Sequence, residues 1–227
     1  MTNTALASTD STELKTSSER SYQALRGDIV RGELPAGSKL KVLHLKDRYD
    51  TGAAPLREAL SRLVGDGLVD QEGQRGFSVA KVSAQDAKDV ARVRVLLECE
   101  ALREAIPQGG DDWESGVVAA YHRLSLVEKR GTSSVEDLIE LETRNAAFHD
   151  ALIAGVDCDW LLKLRKQIYL HHERYRYISR KLTSSNRDTP AEHAAIYEAA
   201  LARDVERTCA LSTDHINLTT QTVLTVL

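Results

Sequence analysis

Apolar residues recur at helical spacing through most of the chain, and the interruptions fall at glycine and proline. Between Glu19 and Gly32, Tyr22, Leu25 and Ile29 share one face of a helix. The stretch GELPAGSKL reads as a turn from its two glycines and Pro35. VLHLKDRY is long enough for two helical turns, and DTGAA breaks it. PLREALSRLVGDG resumes as a helix with Pro55 in its first turn, where the missing N–H costs nothing, and with a stripe of Leu56, Leu60, Leu63 and Val64. LVDQEGQRGFSVAKV then alternates apolar and polar around Gly73 and Gly76, the pattern of a short two-stranded hairpin. Helix, helix, turn, helix, hairpin is the element order of a winged helix-turn-helix.

After Val82 the period of two disappears. Ser83 and Asp86 make a capping start, and a long amphipathic helix runs to about Ile106. PQGGDDWE is a break. Further helical stretches cover roughly 111–130, 134–154, 159–182, 190–202 and 204–226, punctuated by Gly131, Gly155 and Pro190. The expected fold is mainly α: a winged helix-turn-helix over 18–82 and an all-α helical bundle of about six helices over 83–227. Residues 1–17, rich in Ser and Thr, read as a disordered tail.

Composition narrows the class. Apolar content of 42% and charged content of 28% suit a soluble globular chain, and 4 prolines and 2 phenylalanines among abundant Leu and Ala favour helix. No run approaches the ~20 apolar residues of a membrane span, and the start lacks the apolar core of a signal peptide. Three scattered cysteines, Cys99, Cys158 and Cys209, fit reduced thiols in the cytoplasm better than a disulfide framework. A net charge of −4 argues against a uniformly basic coat. Residues 18–82 nevertheless hold 11 Lys and Arg against 9 Asp and Glu, whereas 83–227 hold 18 against 23, so the positive excess falls on the winged unit.

A helix-turn-helix places the N-terminal end of its second helix in the major groove of DNA. Arg57, on that first turn, can reach a base or a phosphate, and the positive end of the helix dipole favours phosphate there. Arg75, beside Gly76, would sit at the wing tip. Lys39, Lys41, Arg48 and Arg62 are candidate phosphate contacts, which position without specifying. The competing reading is a small helical subdomain with solvated charges. GELPAGSKL, PLREALSRLVGDGLV and RGFSVAKV together resemble the N-terminal domain of GntR-type bacterial transcription regulators, with Pro55, Arg57, Glu58, Ala59, Leu60, Leu63, Gly67, Leu68, Val69 and Gly76 matching the family pattern. The resemblance implies double-stranded operator DNA as partner. One departure stands out. The family's Ser/Thr-Arg turn before the recognition helix is replaced by Gly52, Ala53 and Ala54, so base readout falls on Arg57, the wing and backbone N–H groups.

Six of the seven histidines lie beyond residue 82. Asn145 and His149 are four apart, on one helical face. His193 opens the fifth helix of the expected bundle and His215 lies within the sixth. Imidazoles from three helices can build a transition-metal site, though periodicity alone does not make them converge. VRVLLECEAL, NAAFHDALIAG, EHAAIYEAALARD and DHINL resemble the FCD effector domain of the FadR branch of the GntR family. That resemblance implies a metal on His149, His193 and His215, with Asn145 at a position the family gives to aspartate. Histidine nitrogens, one oxygen and open positions suit zinc or nickel. The resemblance also implies a small carboxylate effector at the open positions, clamped by Arg94 of Arg-x-x-Leu-Glu (Arg94, Leu97, Glu98), with Arg174 and Arg176 of HHERYRYISRK as further candidates. GGDDWE, ERYRYI and the glycine turn resemble carbon-starvation-induced (CsiR-type) repressors, which implies glutarate or 2-hydroxyglutarate. A homodimer on a palindromic operator follows from two-fold matching. Two alternatives remain: the same regulator with a purely structural metal, and a helical metalloenzyme. The latter lacks a His-Glu-x-x-His motif, offers only Glu192 beside His193 as a base, and leaves the winged unit unexplained.

Overall fold

A computed structural model describes residues 16–71, 76–180 and 187–227. The wing-tip position expected of Arg75, and most of the expected tail, lie outside them. The chain divides into two compact units, one ending at Lys81 and one beginning at Val82.

The first unit runs α1 (Ser17–Arg31), β1 (Lys39–Leu40), α2 (Val42–Tyr49), α3 (Ala53–Gly65), β2 (Val69–Gln71) and β3 (Phe77–Val79). Thr16 caps α1 by accepting from the Glu19 N–H at 3.1 Å, and Gly32 closes it in the left-handed conformation at φ 78°. Leu25, Ile29, Leu45, Leu56, Leu60, Leu63, Leu68 and Val79 are buried, so the stripe read along the helices is the core of this unit. The sheet has three strands where a two-stranded hairpin was expected. Lys39–Leu40 leaves the GELPAGSKL turn extended and pairs antiparallel with β3, in the order β1-β3-β2. Two residues are too short for an alternation to be read, so partner geometry alone makes them a strand. α3 also begins two residues before Pro55. Ala53 and Ala54 complete a first turn whose N–H groups need no intrahelical acceptor, so the proline ring is tolerated there.

The second unit is all-helical: α4 (Ala84–Gln108), α5 (Asp111–Arg130), α6 (Val135–Leu152), α7 (Asp159–Arg180), α8 (Thr189–Leu201) and α9 (Val205–Leu224). The Ser83 hydroxyl accepts from the Asp86 N–H at 3.1 Å and starts α4 as expected. Ser134 and Asp137 form a reciprocal capping box at α6. α9 packs against α4, α7 and α8, and α5 packs against α6 and α8. The main apolar core includes Leu102, Ile106, Val117, Leu124, Phe148, Leu152 and Ile196, all fully buried. Where α6, α7, α8 and α9 face one another, the buried residues turn polar, and the candidate site lies there. Among the described residues no helix is long and apolar enough to cross a membrane.

Candidate metal centre

Three imidazoles meet inside the second unit. His149 comes from α6, His193 from the first turns of α8 and His215 from the middle of α9. One ring nitrogen of each lies within 4.8 Å of the others. Their ring centroids are 4.7 to 5.7 Å apart, and all three side chains are buried.

Carboxylates stand behind two of the imidazoles. His193 Nδ1 is 2.7 Å from Glu128 Oε1, and His215 Nδ1 is 2.8 Å from Glu192 Oε2. A carboxylate acceptor keeps the proton on Nδ1 and leaves Nε2 as the lone-pair donor. His193 Nε2 and both nitrogens of His149 are buried without a hydrogen-bond partner. Burial, with the neighbouring His215 and Arg94, pushes the His149 imidazolium well below the ordinary histidine range, and burial does the same to His215. Asn145, four residues before His149, donates its Nδ2 to the Tyr169 hydroxyl at 2.9 Å, so its Oδ1 is left buried and unpaired. Buried imidazoles with bare nitrogens and an orphaned amide oxygen are a donor set that fits a borderline divalent metal.

Glu192 is held in turn. Arg187 donates to both its oxygens at 2.6 Å, to Thr219 Oγ1 at 2.8 Å and to the His215 carbonyl at 2.8 Å. Burial raises the Glu192 carboxyl, but the Arg187 and His215 hydrogen bonds outweigh it and hold it at about 2.

Beside the triad, Asn145, Arg176, Ser179, Arg180, Arg187, Thr189, His215 and Thr219 line a polar pocket. Arg176 and Arg180 both donate to Glu142, at 2.9 and 2.7 Å. Arg94 donates to His172 Nδ1 at 2.6 Å, and its Nε and Nη2 are buried without a partner. Burial, then the neighbouring Arg176, pull its guanidinium down to about 10. Arg94, Arg165 and Arg176 surround Tyr169 with guanidinium carbons 4.6, 5.4 and 4.5 Å from the ring centre. Arg174 lies elsewhere: two residues from both His172 and Arg176, it belongs to the opposite side of α7 and is absent from the pocket lining.

In the first unit, Arg57 is exposed on the opening turn of α3, and among the described residues it makes no ion pair. Gly52 caps that turn without a side chain, leaving the end of the helix bare. Lys39 on β1 and Lys41 at the start of α2 are also exposed. Arg48 pairs with Asp28 at 2.6 Å, and Arg62, on the last turn of α3, pairs with Glu19 at 2.8 Å and covers the Tyr22 ring at 4.0 Å.

Comparison with known proteins decides the family. Residues 89–218 match the FCD domain, and residues 17–79 match the family described as bacterial regulatory proteins, gntR family. The HTH-type transcriptional regulator BphR of Paraburkholderia xenovorans is 42% identical over 202 residues, 87% of this chain and 81% of that one. The chain belongs to the GntR family, in the branch that carries an FCD domain. The HTH-type transcriptional repressor GlaR of Escherichia coli is 37% identical over 199 residues, 86% of this chain and 90% of the repressor. Among solved structures, McbR/YncC of Escherichia coli superposes with a TM-score of 0.76 at 17% identity, covering 92% of this chain and 98% of that one, which supports the fold. This GntR-family member is therefore a bacterial transcriptional regulator with an FCD effector-binding domain, and not an enzyme.

Several residues around the candidate site escape reading by motif. Arg165, Tyr169 and His172 were not expected; with Arg176, a candidate from sequence, they follow one another at intervals of four, three and four along α7, so a polar stripe faces inward where an apolar one is usual. Glu142, Asn145 and His149 repeat this on α6. That spacing was the available signal. Glu128 and Arg187 carry no such signal, because each reaches the site only through the packing of α5 or the start of α8.

Proposed function

We propose that this GntR-family regulator is a repressor that releases operator DNA when a small dicarboxylate, of the glutarate or 2-hydroxyglutarate class, binds at a metal in its FCD domain. Zinc or nickel would be held by His149, His193 and His215 through nitrogen and by Asn145 through Oδ1. The metal would supply open positions for a carboxylate oxygen. The observation that carries this reading is the shared boundary of the two sites: Asn145 and His215 line the pocket in which Arg176, Arg180 and Arg187 also lie.

The charge balance of that pocket supports an anion. Glu142 serves two arginines and Glu192 one, which leaves the lining with a net positive charge before any metal is counted. Arg94 adds two buried, unpartnered nitrogens nearby. A buried guanidinium with unmet donors is costly, and a carboxylate answers it with paired hydrogen bonds. A purely structural metal would leave those donors unused. Asn145 strengthens the case: with a neutral amide where the family has an aspartate, the metal keeps its whole charge for the incoming acid.

The regulator would act as a two-fold dimer, with Arg57 and the bare start of α3 in the major groove and Lys39, Lys41, Arg48 and Arg62 near phosphates. The effector would favour one of two dimer geometries and so change the spacing of the two α3 helices.

Calorimetric titration of the zinc-loaded protein with C4–C6 dicarboxylates and 2-hydroxy acids tests this reading. Micromolar binding of one acid, lost in His193→Ala, is the expected result. Absence of heat with every acid, while the protein still holds its metal, would refute the dicarboxylate assignment.

A further inference from the structure

α4 and α9 pack along each other, and each brings one cysteine to the seam between them. Cys99 Sγ is 3.7 Å from the Cys209 carbonyl oxygen, and Cys209 Sγ is 3.6 Å from the Cys99 carbonyl oxygen. Each side chain thus reaches across the seam to the other residue's backbone, the close approach of two helices that a bond between their sulfurs requires. Cys158, the third cysteine, is exposed and lies before the start of α7, on neither helix.

The pair is chemically unequal. Cys99 is the more exposed of the two, at 8% against 4%. Contact with Cys209, then Thr213, whose hydroxyl is 3.6 Å from Cys99 Sγ, and Arg103 one turn along α4, hold the Cys99 thiol below the ordinary cysteine range. Arg103 is exposed and paired with Glu206 of α9, so the seam opens to solvent beside Cys99. The same contact with Cys99 pushes the Cys209 thiol up. One sulfur is thus suited to attack an oxidant, and the other waits as a neutral thiol to resolve the product.

We propose that Cys99 and Cys209 are a dithiol–disulfide site, oxidised by a small hydroperoxide, that bonds α4 to α9. The Cys99 thiolate attacks the terminal peroxide oxygen and the O–O bond breaks, giving a Cys99 sulfenic acid and, after protonation, water from hydrogen peroxide. Cys209 sulfur then attacks the Cys99 sulfur, and hydroxide leaves with the Cys209 proton as a second water. Two thiols lose two electrons in total, and one peroxide gains them. The bond closes a span of 110 residues. It ties the helix that carries Arg94 and Glu98 to the helix that carries His215. The site is independent of the metal and effector reading.

The test uses the full-length protein in its purified metal state, treated with hydrogen peroxide, then alkylated, denatured and digested with trypsin without reductant. The expected product joins the peptide that begins after Arg94 to the peptide that begins after Arg207, with an intact mass lower by about 2 Da for the two hydrogens lost. The unfolding midpoint should rise by about 5 °C and fall back with dithiothreitol. Cys158→Ser should leave the cross-link intact, and Cys209→Ser should leave a Cys99 sulfenic acid that dimedone traps. Full alkylation of Cys99 and Cys209 under peroxide that oxidises Cys158 would overturn the proposal. So would oxidation of Cys99 or Cys209 to sulfinic acid with no cross-linked peptide. The wild-type peptide map decides the matter even if Cys209→Ser fails to fold.

Discussion

At the residue scale, the carboxylates behind the histidines set the quality of the site. Glu128 and Glu192 stand at Nδ1 of His193 and His215, and Arg187 holds Glu192. Glu192→Gln keeps the shape but can present an amide N–H to Nδ1, which favours the wrong tautomer. Zinc affinity should fall about 10- to 100-fold in that variant, by competition with a chromophoric chelator. An unchanged affinity would mean that Glu192 serves only to anchor Arg187. His172 offers a second test, in metal-free protein. Burial, then Arg94 and Arg176, push its imidazolium well below the ordinary histidine range. The unfolded chain therefore takes up a proton near pH 6.5 that the folded chain refuses. Stability from this group is full above that pH and is lost as the pH falls below it, with a slope of at most about 1.4 kcal/mol per pH unit. Urea denaturation at pH 7.5 and 5.5 should show a smaller loss in His172→Gln than in the parent chain.

At the scale of elements, α3 separates two kinds of arginine. Arg57 sits at its open start and Arg62 at its closing turn, paired with Glu19 and resting on Tyr22. An exposed ion pair of the Arg62 kind is worth less than about 1 kcal/mol. Arg57→Ala should weaken operator binding about tenfold or more at fixed salt, by fluorescence anisotropy, with an unchanged unfolding midpoint. Arg62→Ala should show the reverse balance, a small loss of stability and a lesser loss of binding. Equal binding losses would move the DNA contact away from the start of α3. The apolar stripe Leu56, Leu60 and Leu63 identified this helix from sequence, because a buried face must repeat with the helical period. The same logic could not reveal β1, whose two residues become a strand only by pairing with β3.

At the scale of the whole molecule, each unit has its own apolar core, and the three histidines belong entirely to the second. Metal should then stabilise one unit alone. Differential scanning calorimetry is expected to resolve two transitions, of which only one moves up on adding zinc and down on chelation. A joint shift of both would mean that the units unfold as one.

The sequence by itself determined the helices and the order of the two units, because hydrophobic period, caps and glycine breaks are local and act along the chain. The candidate metal ligands were also legible in it: His149, His193 and His215, with Asn145, were named through resemblance to the FCD domain. Tertiary structure alone decided that these imidazoles converge within 4.8 Å. It decided as well that Glu128 and Glu192 stand behind two of them, and that Tyr169 gathers Arg94, Arg165 and Arg176 around one ring. The physical reason is the same throughout. Periodicity fixes which side of a helix a residue occupies, whereas the rotation and offset of one helix against its neighbour, set by packing, decide what that side meets.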